Sequence, residues 1–268
     1  MIPANLIINA DDFGIDESVS RAILLCLEEG LINSFSVLPF ADSFHDRLLR
    51  DIVARFPDAR IGVHMSLIGP SETCRLDAAS GEFAESEDHF LHFLARYVTG
   101  RYPAERVRRE WKAQIEFVGA YVGGTHKLAH LDSHQHLHVL PGLWDAAKTL
   151  QWEFSIPRLR VPYESLLKGF RYRFPFGMGL QALAWLRQGR GDPGFIGFFT
   201  STRFTFTANR RSLARVLRLP GRAFELMVHP ALPSHGLESR PSTIAASQEE
   251  EIEELRSLRS FYEGCGPR

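Results

Sequence analysis

The chain has 268 residues, 44% of them hydrophobic, which suffices for one large domain with a substantial core. Its formal net charge of -1, from 31 Lys+Arg against 32 Asp+Glu, argues against a general nucleic-acid binder, and no run of about 18 uninterrupted apolar residues is present to span a membrane. Cys26, Cys74 and Cys265 are scattered with no CxxC pair, and the N-terminus lacks the basic and apolar regions of a signal peptide, so the expectation is a reduced, cytoplasmic protein.

The elements alternate along the chain. Leu6–Ala10 is a short apolar run that reads as a buried strand and ends in two aspartates. Ser18–Glu29 carries Val19, Ala22, Ile23 and Leu27 at helical spacing, with Gly30 as its C-cap and Cys26 as a small core residue. Ser34–Phe40 reads as a strand, Phe44–Phe56 as a helix stopped by Pro57, and Ile61–Leu67 as a strand containing His64. Ile68–Glu87 lacks periodicity and reads as a long loop over the active face. Pro103–Val122 repeats Val107, Trp111, Ile115 and Val118 as a helix, broken by Gly123-Gly124. A short strand ends at His130–Asp132, and a helix begins at Pro141–Leu150. A strand is expected at Arg158–Pro162, a strand or strand pair at Phe195–Phe206, a helix at Arg210–Leu217, a strand at Ala223–His229 and a helix at Gln248–Tyr262 packing through Ile252, Leu255 and Leu258. This order predicts an α/β fold, a distorted (β/α) barrel with parallel strands, as a single domain over residues 1–268.

Four polar clusters fall at or just after predicted strands: Asp11-Asp12, His64, the run His130-x-Asp132-x-His134-x-His136-x-His138, and His229-Pro230. In parallel β/α folds the loops after the strands build the active site, so separate segments would deliver carboxylates and imidazoles to one place. For Asp11-Asp12 two readings stand: a helix N-cap pair, or one carboxylate on a metal while its neighbour takes a proton from water. Gly14 beyond them permits a tight turn. In an extended chain His130, Asp132, His134 and His136 share a face, with His134 the preferred ligand and Asp132 a partner that could fix a ligand's tautomer. His64 and His229 could each be a buried structural histidine or a site residue. Two imidazoles and a carboxylate leave open positions on a divalent cation that acidifies water and polarises a carbonyl. Amide hydrolysis needs both, with a base and an acid. Neither a Gly-x-Ser-x-Gly elbow nor a Gly-rich phosphate loop occurs.

The chain resembles the YdjC-like carbohydrate deacetylase family, which includes chitooligosaccharide deacetylases and hopanoid-associated deacetylases. The resemblance rests on Asn9-Ala10-Asp11-Asp12-Phe13-Gly14, Gly62-Val63-His64-Met65-Ser66-Leu67, the segment His130 to His138, and His229-Pro230, in family order. It implies a metal-dependent hydrolase that removes an acetyl group from an N-acetylated amino sugar, on a free oligosaccharide or a lipid-linked sugar. It also implies a divalent cation, usually magnesium, on Asp12, His64 and His134, with Asp11 as base and His229 assisting the leaving group. The histidine content suits zinc better, so zinc stays open beside magnesium. Hydrolysis of another bond such as a phosphoester, and a metal-binding protein without catalysis, are the competing readings, and a homodimer is left open. Phe170–Arg190 mixes aromatics with Arg171, Arg173, Arg187 and Arg190. It reads either as an inserted loop and helix packed on the barrel or as a surface resting peripherally on a membrane.

Overall fold

The computed structural model describes residues 1–40, 42–68, 75–76, 83–84, 90–165, 175–199, 213–214, 222–233 and 242–264. In chain order these form β1 (Leu6–Phe13), α1 (Glu17–Glu28), β2 (Ser34–Val37), α2 (Ser43–Arg55), β3 (Arg60–Met65), β4 (Arg75–Leu76), β5 (Phe83–Ala84), α3 (Phe90–Val98), α4 (Ala104–Val122), β6 (His130–Ser133), α5 (Leu143–Glu153), α6 (Pro175–Arg187), β7 (Gly194–Ile196), β8 (Phe224–Val228) and α7 (Ser242–Gly264). Six strands join one sheet in the order β6-β3-β2-β1-β8-β7, and β4 with β5 makes a separate antiparallel pair. The pairings β1/β8, β3/β6 and β7/β8 are parallel. The α/β class with parallel strands, expected from the alternation of short apolar runs and amphipathic helices, is the fold observed.

By contact the chain divides into two compact units. The first comprises Met1–Asp11, Ser18–Phe35 and Val161–Arg268. Its strand β1 is buried on nearly every residue because both faces are covered. Ile8 and Ala10 lie in register with Leu226 and Val228 of β8, all four buried. Helix α1 buries Val19, Ala22, Ile23, Cys26 and Leu27. It ends at Gly30, whose φ of 64° lets the Leu31 N–H reach the Cys26 carbonyl at 2.8 Å. Burial, then the nearby acids Glu29 and Glu251, pushes the Cys26 thiol up to about 12, as suits an inert core residue. Helix α7 buries Ile252, Leu255 and Leu258, as its spacing predicts, and its Arg256 pairs with Glu29.

The second unit comprises Asp12–Glu17 and Ser36–Arg160. Asp42 caps α2 by accepting the His45 N–H at 2.9 Å. Helix α4 follows Pro103, buries Val107, Trp111, Ile115 and Val118, and stops at Gly123 in the left-handed region. Its buried Gln114 accepts the Ser66 N–H and donates to the Ser66 carbonyl, both at 2.8 Å. That pair of bonds holds the chain two residues beyond His64.

Several expectations needed correction. Inside the predicted loop Ile68–Glu87, residues 75–76 and 83–84 pair as β4 and β5, and the remainder beyond Ile68 lies outside the described residues. Helix α3 had no counterpart in the sequence reading. Arg158–Pro162 is not a strand but a single parallel bridge, Leu131 to Leu159. Pro157 and Pro162 flank it, and neither can donate to a ladder. Only Gly194–Ile196 of the strand expected near Phe195–Phe206 is observed as β7; residues 200–212 lie outside the described residues, as does nearly all of Arg210–Leu217. In Phe170–Arg190, α6 buries Leu180, Gln181 and Ala184, whereas Trp185 is 55% and Leu186 68% exposed; residues 166–174 are outside the described set. Among the described residues no helix is long and apolar enough to cross a membrane.

Candidate metal centre

Strand β1 carries its aspartates to the end of an extended run, and Asp12 is its penultimate residue. The pair therefore does not cap α1, which begins at Glu17. Asp12 sits at φ 71°, in the left-handed region that non-glycine residues rarely occupy, and such strain concentrates at functional sites. The turn beyond it closes through the Ile15 N–H on the Asp12 carbonyl at 3.0 Å. Gly14, at φ 97°, is required there twice over, because a Cβ would stand 2.9 Å from the Leu38 carbonyl oxygen.

Parallel pairing of β3 with β6 places His64 opposite Asp132 and Gly62 opposite His130. All four side-chain positions lie on one face because strand side chains alternate. Gly62 clears space for the His130 ring, since a Cβ at residue 62 would meet that ring at 2.3 Å. The extended chain ends at Ser133 and a 3₁₀ turn, His134–Val139, follows, with Gln135 and His136 at positive φ. Alternation therefore places His130 and Asp132 on the shared face, and His134 reaches the site by the turn and not by strand periodicity.

Within the second unit Asp12, His64 and His134 converge. His64 Nε2 lies 3.1 Å and His134 Nδ1 2.9 Å from Asp12 Oδ1, and one ligand atom from each residue falls within 4.8 Å of the others. His64 is buried, and His134 opens one edge of the group to solvent. Burial alone would raise the Asp12 carboxyl, but the charges and hydrogen bonds of His134 and His64 outweigh it and hold Asp12 well below the usual carboxylate range. The same balance governs the fully buried Asp132: burial raises it, while Arg160, His64 and His130 prevail and keep it well below that range. Asp132 Oδ1 accepts the His64 Nδ1–H at 2.7 Å. Asp132, expected from the sequence as a tautomer partner within the histidine run whose preferred ligand is His134, bonds His64 instead.

One carboxylate and two imidazoles gathered at one point suit a divalent cation, and His64 meets the usual requirement that a ligand's second nitrogen be engaged. The residues present fit such an ion. His138 of the run is excluded by its bonds. Ser133 Oγ–H donates to His138 Nδ1 at 2.6 Å, and His138 Nε2–H donates to the Arg160 carbonyl at 2.8 Å, so both ring nitrogens are committed.

Asp11 and His229 belong to the first unit. Asp11, joined to Asp12 by one peptide bond, is buried and accepts the Asn9 side-chain amide at 2.7 Å. His229 follows β8, and its N–H donates to the buried Glu251 carboxylate at 2.6 Å. Its Nδ1 is buried with no hydrogen-bond partner among the described residues. Sequence reasoning missed Arg160 and Glu251. The signal for Arg160 was a charge inside an apolar run, Leu159-Arg160-Val161, where only a paired arginine tolerates burial.

A model of the YdjC-like protein family matches residues 5–261. A carbohydrate deacetylase of Brevibacillus brevis is 28% identical over 162 residues, 59% of each chain. A carbohydrate deacetylase of Halalkalibacterium halodurans is 30% identical over 173 residues, 62% of this chain and 67% of its own. The chain thus spans about three fifths of the length of the Brevibacillus relative. A crystal structure from Enterococcus faecalis V583, described as a candidate cellobiose-phosphate cleavage protein, shares the fold, with a TM-score of 0.66 at 22% identity, over 95% of this chain and 94% of that one. With a family match over nearly its whole length, the chain belongs to the YdjC-like protein family.

Proposed function

We propose that the protein is a metal-dependent carbohydrate N-deacetylase, which hydrolyses the acetamide of an N-acetylated amino sugar. The observation that carries this reading is the convergence of Asp12, His64 and His134, with a further buried carboxylate, Asp11, next in the chain. The carbohydrate deacetylase names of the relatives supply the substrate class. A divalent cation on those three residues would supply Lewis acidity, lowering the pKa of water and polarising the acetyl carbonyl. In this reading Asp12, His64 and His134 hold the ion, and Asp132 orients His64. Asp11 takes the proton from the attacking water, and His229 returns one to the leaving amine. A storage protein would have no use for the spare carboxylate. Magnesium is the first candidate, from the family resemblance, and zinc stays open beside it because two imidazoles favour the softer ion.

The substrate is a soluble oligosaccharide or a lipid-linked sugar, and the exposed Trp185 and Leu186 of α6 favour including the second class. The test is acetate release from N-acetylglucosamine oligomers and from N-acetylated glycolipids, after chelation and after add-back of magnesium or zinc. Metal-dependent release from either class is expected. No acetate from any acetylated sugar under any metal condition would overturn the reading.

A further inference from the structure

A buried arginine stands behind the Asp12–His64–His134 group. Arg160 is 1% exposed, and its guanidinium Nη2 forms an ion pair with Asp132 Oδ2 at 2.8 Å. The other oxygen, Asp132 Oδ1, accepts the His64 Nδ1–H at 2.7 Å, and His64 Nε2 lies 3.1 Å from Asp12 Oδ1. Four side chains thus form one line from the core to the ligand group. The carboxylate in the middle has one oxygen hydrogen-bonded to His64 and the other ion-paired with Arg160, so turning it would give up one contact or the other. Arg160 is itself anchored on both sides of its backbone. Its N–H donates to the Leu131 carbonyl at 2.9 Å, and its carbonyl accepts His138 Nε2–H at 2.8 Å.

We propose that Arg160 is a positioning residue for the cation site: by clamping Asp132 it fixes the ring plane of His64 and keeps the proton on Nδ1, so that the Nε2 lone pair faces Asp12. The inference rests on the cation reading above. It follows from hydrogen-bond direction: a carboxylate held by a guanidinium is an acceptor only, so the imidazole must donate to it from Nδ1. The contact is a single-nitrogen ion pair, so the positive charge carries most of the effect and a lysine that reached the same oxygen would keep part of it.

The experiment uses the full chain and two probes, zinc and magnesium ions, titrated calorimetrically into wild type, Arg160→Met and Arg160→Lys. Nitrogen-15 NMR reads the His64 tautomer in the zinc-loaded wild type. Loss of an outer partner of a ligating histidine costs about 10- to 100-fold in metal affinity. Arg160→Met is expected to weaken binding by about that factor while remaining folded by circular dichroism, and Arg160→Lys to recover part of it. The wild-type His64 is expected to carry its proton on Nδ1. A folded Arg160→Met that binds both ions as tightly as wild type would overturn the proposal and leave the cation reading intact. A His64 proton on Nε2 in the wild type would overturn it too, and decides the matter if Arg160→Met fails to fold. A wild type that binds neither ion sinks the cation reading and this proposal together.

Discussion

Asp11 and Asp12 share a strand end and take different partners, which is how adjacent carboxylates come to do different work. Asp12 faces two imidazoles, whereas Asp11 accepts an amide from Asn9. Asp11→Asn preserves size and the acceptor oxygen but removes the base. Turnover should fall about a hundred-fold to ten-thousand-fold with metal content unchanged by elemental analysis. Parallel loss of bound metal and activity would instead make Asp11 a ligand. The glycine two residues before His64 makes a second residue-level claim. A methyl group on residue 62 would lie 2.3 Å from the His130 ring, which is fully buried and cannot retreat. Gly62→Ala should cost about 1–3 kcal/mol of stability by overpacking, read from the urea midpoint. An unchanged midpoint would mean that the ring has room to move.

At the scale of elements, the strands and helices that sequence made legible are those whose burial repeats with a single period. Strand β1 is buried almost throughout, and α4 repeats Val107, Trp111, Ile115 and Val118, so each announces itself locally. The register of β3 on β6 is not local. Nothing within Gly62–His64 states that residue 64 will face residue 132, and with that register hidden, the pairing of Asp132 with His64 was hidden too. The turn after β6 was misjudged as extended chain for a related reason. Alternating histidines mimic strand periodicity, while the geometry there is set by positive φ at Gln135 and His136 and by Ser133, which bonds both the ring and the backbone of His138. That turn has a pH signature. Burial pushes the His138 imidazole down to about 4, against about 6.5 in an unfolded chain. Folded His138 thus stays neutral where the unfolded residue is already protonated. Its contribution is complete above about pH 6.5 and is lost as pH falls from there to about 4, on the order of 3 kcal/mol in all. Urea unfolding of wild type should show that loss across this window. His138→Gln should flatten it while costing stability at neutral pH. An identical slope in the variant would assign the acid sensitivity to other groups.

For the molecule as a whole, composition said only that a near-neutral chain had enough apolar residues for a large core, and the alternation of strands and helices made that core an α/β fold with a parallel sheet. Composition could not say which apolar residues would stay outside, because that depends on what each helix packs against. Helix α6 shows the point. Its sequence is apolar on most positions, yet only one side is covered, through Leu180, Gln181 and Ala184, and its last turn leaves Trp185 and Leu186 largely in solvent. Two adjacent large apolar side chains, with Arg187 next and Arg190 three residues beyond, have the chemistry of a membrane-surface contact. Full burial of such side chains contributes about 1.5–3 kcal/mol each, and a basic residue near an anionic surface about 1 kcal/mol. Partial insertion would therefore give weak, salt-sensitive attachment, enough to bring a lipid-linked sugar within reach without anchoring the protein. Co-sedimentation with vesicles of phosphatidylcholine and phosphatidylserine should pull down a fraction of wild type at low salt and less at high salt. Trp185→Ala with Leu186→Ala should abolish that fraction and leave acetate release from soluble oligosaccharides unchanged. Wild type that stays wholly in the supernatant at low salt would remove the membrane role from α6 and leave its exposed pair for another partner.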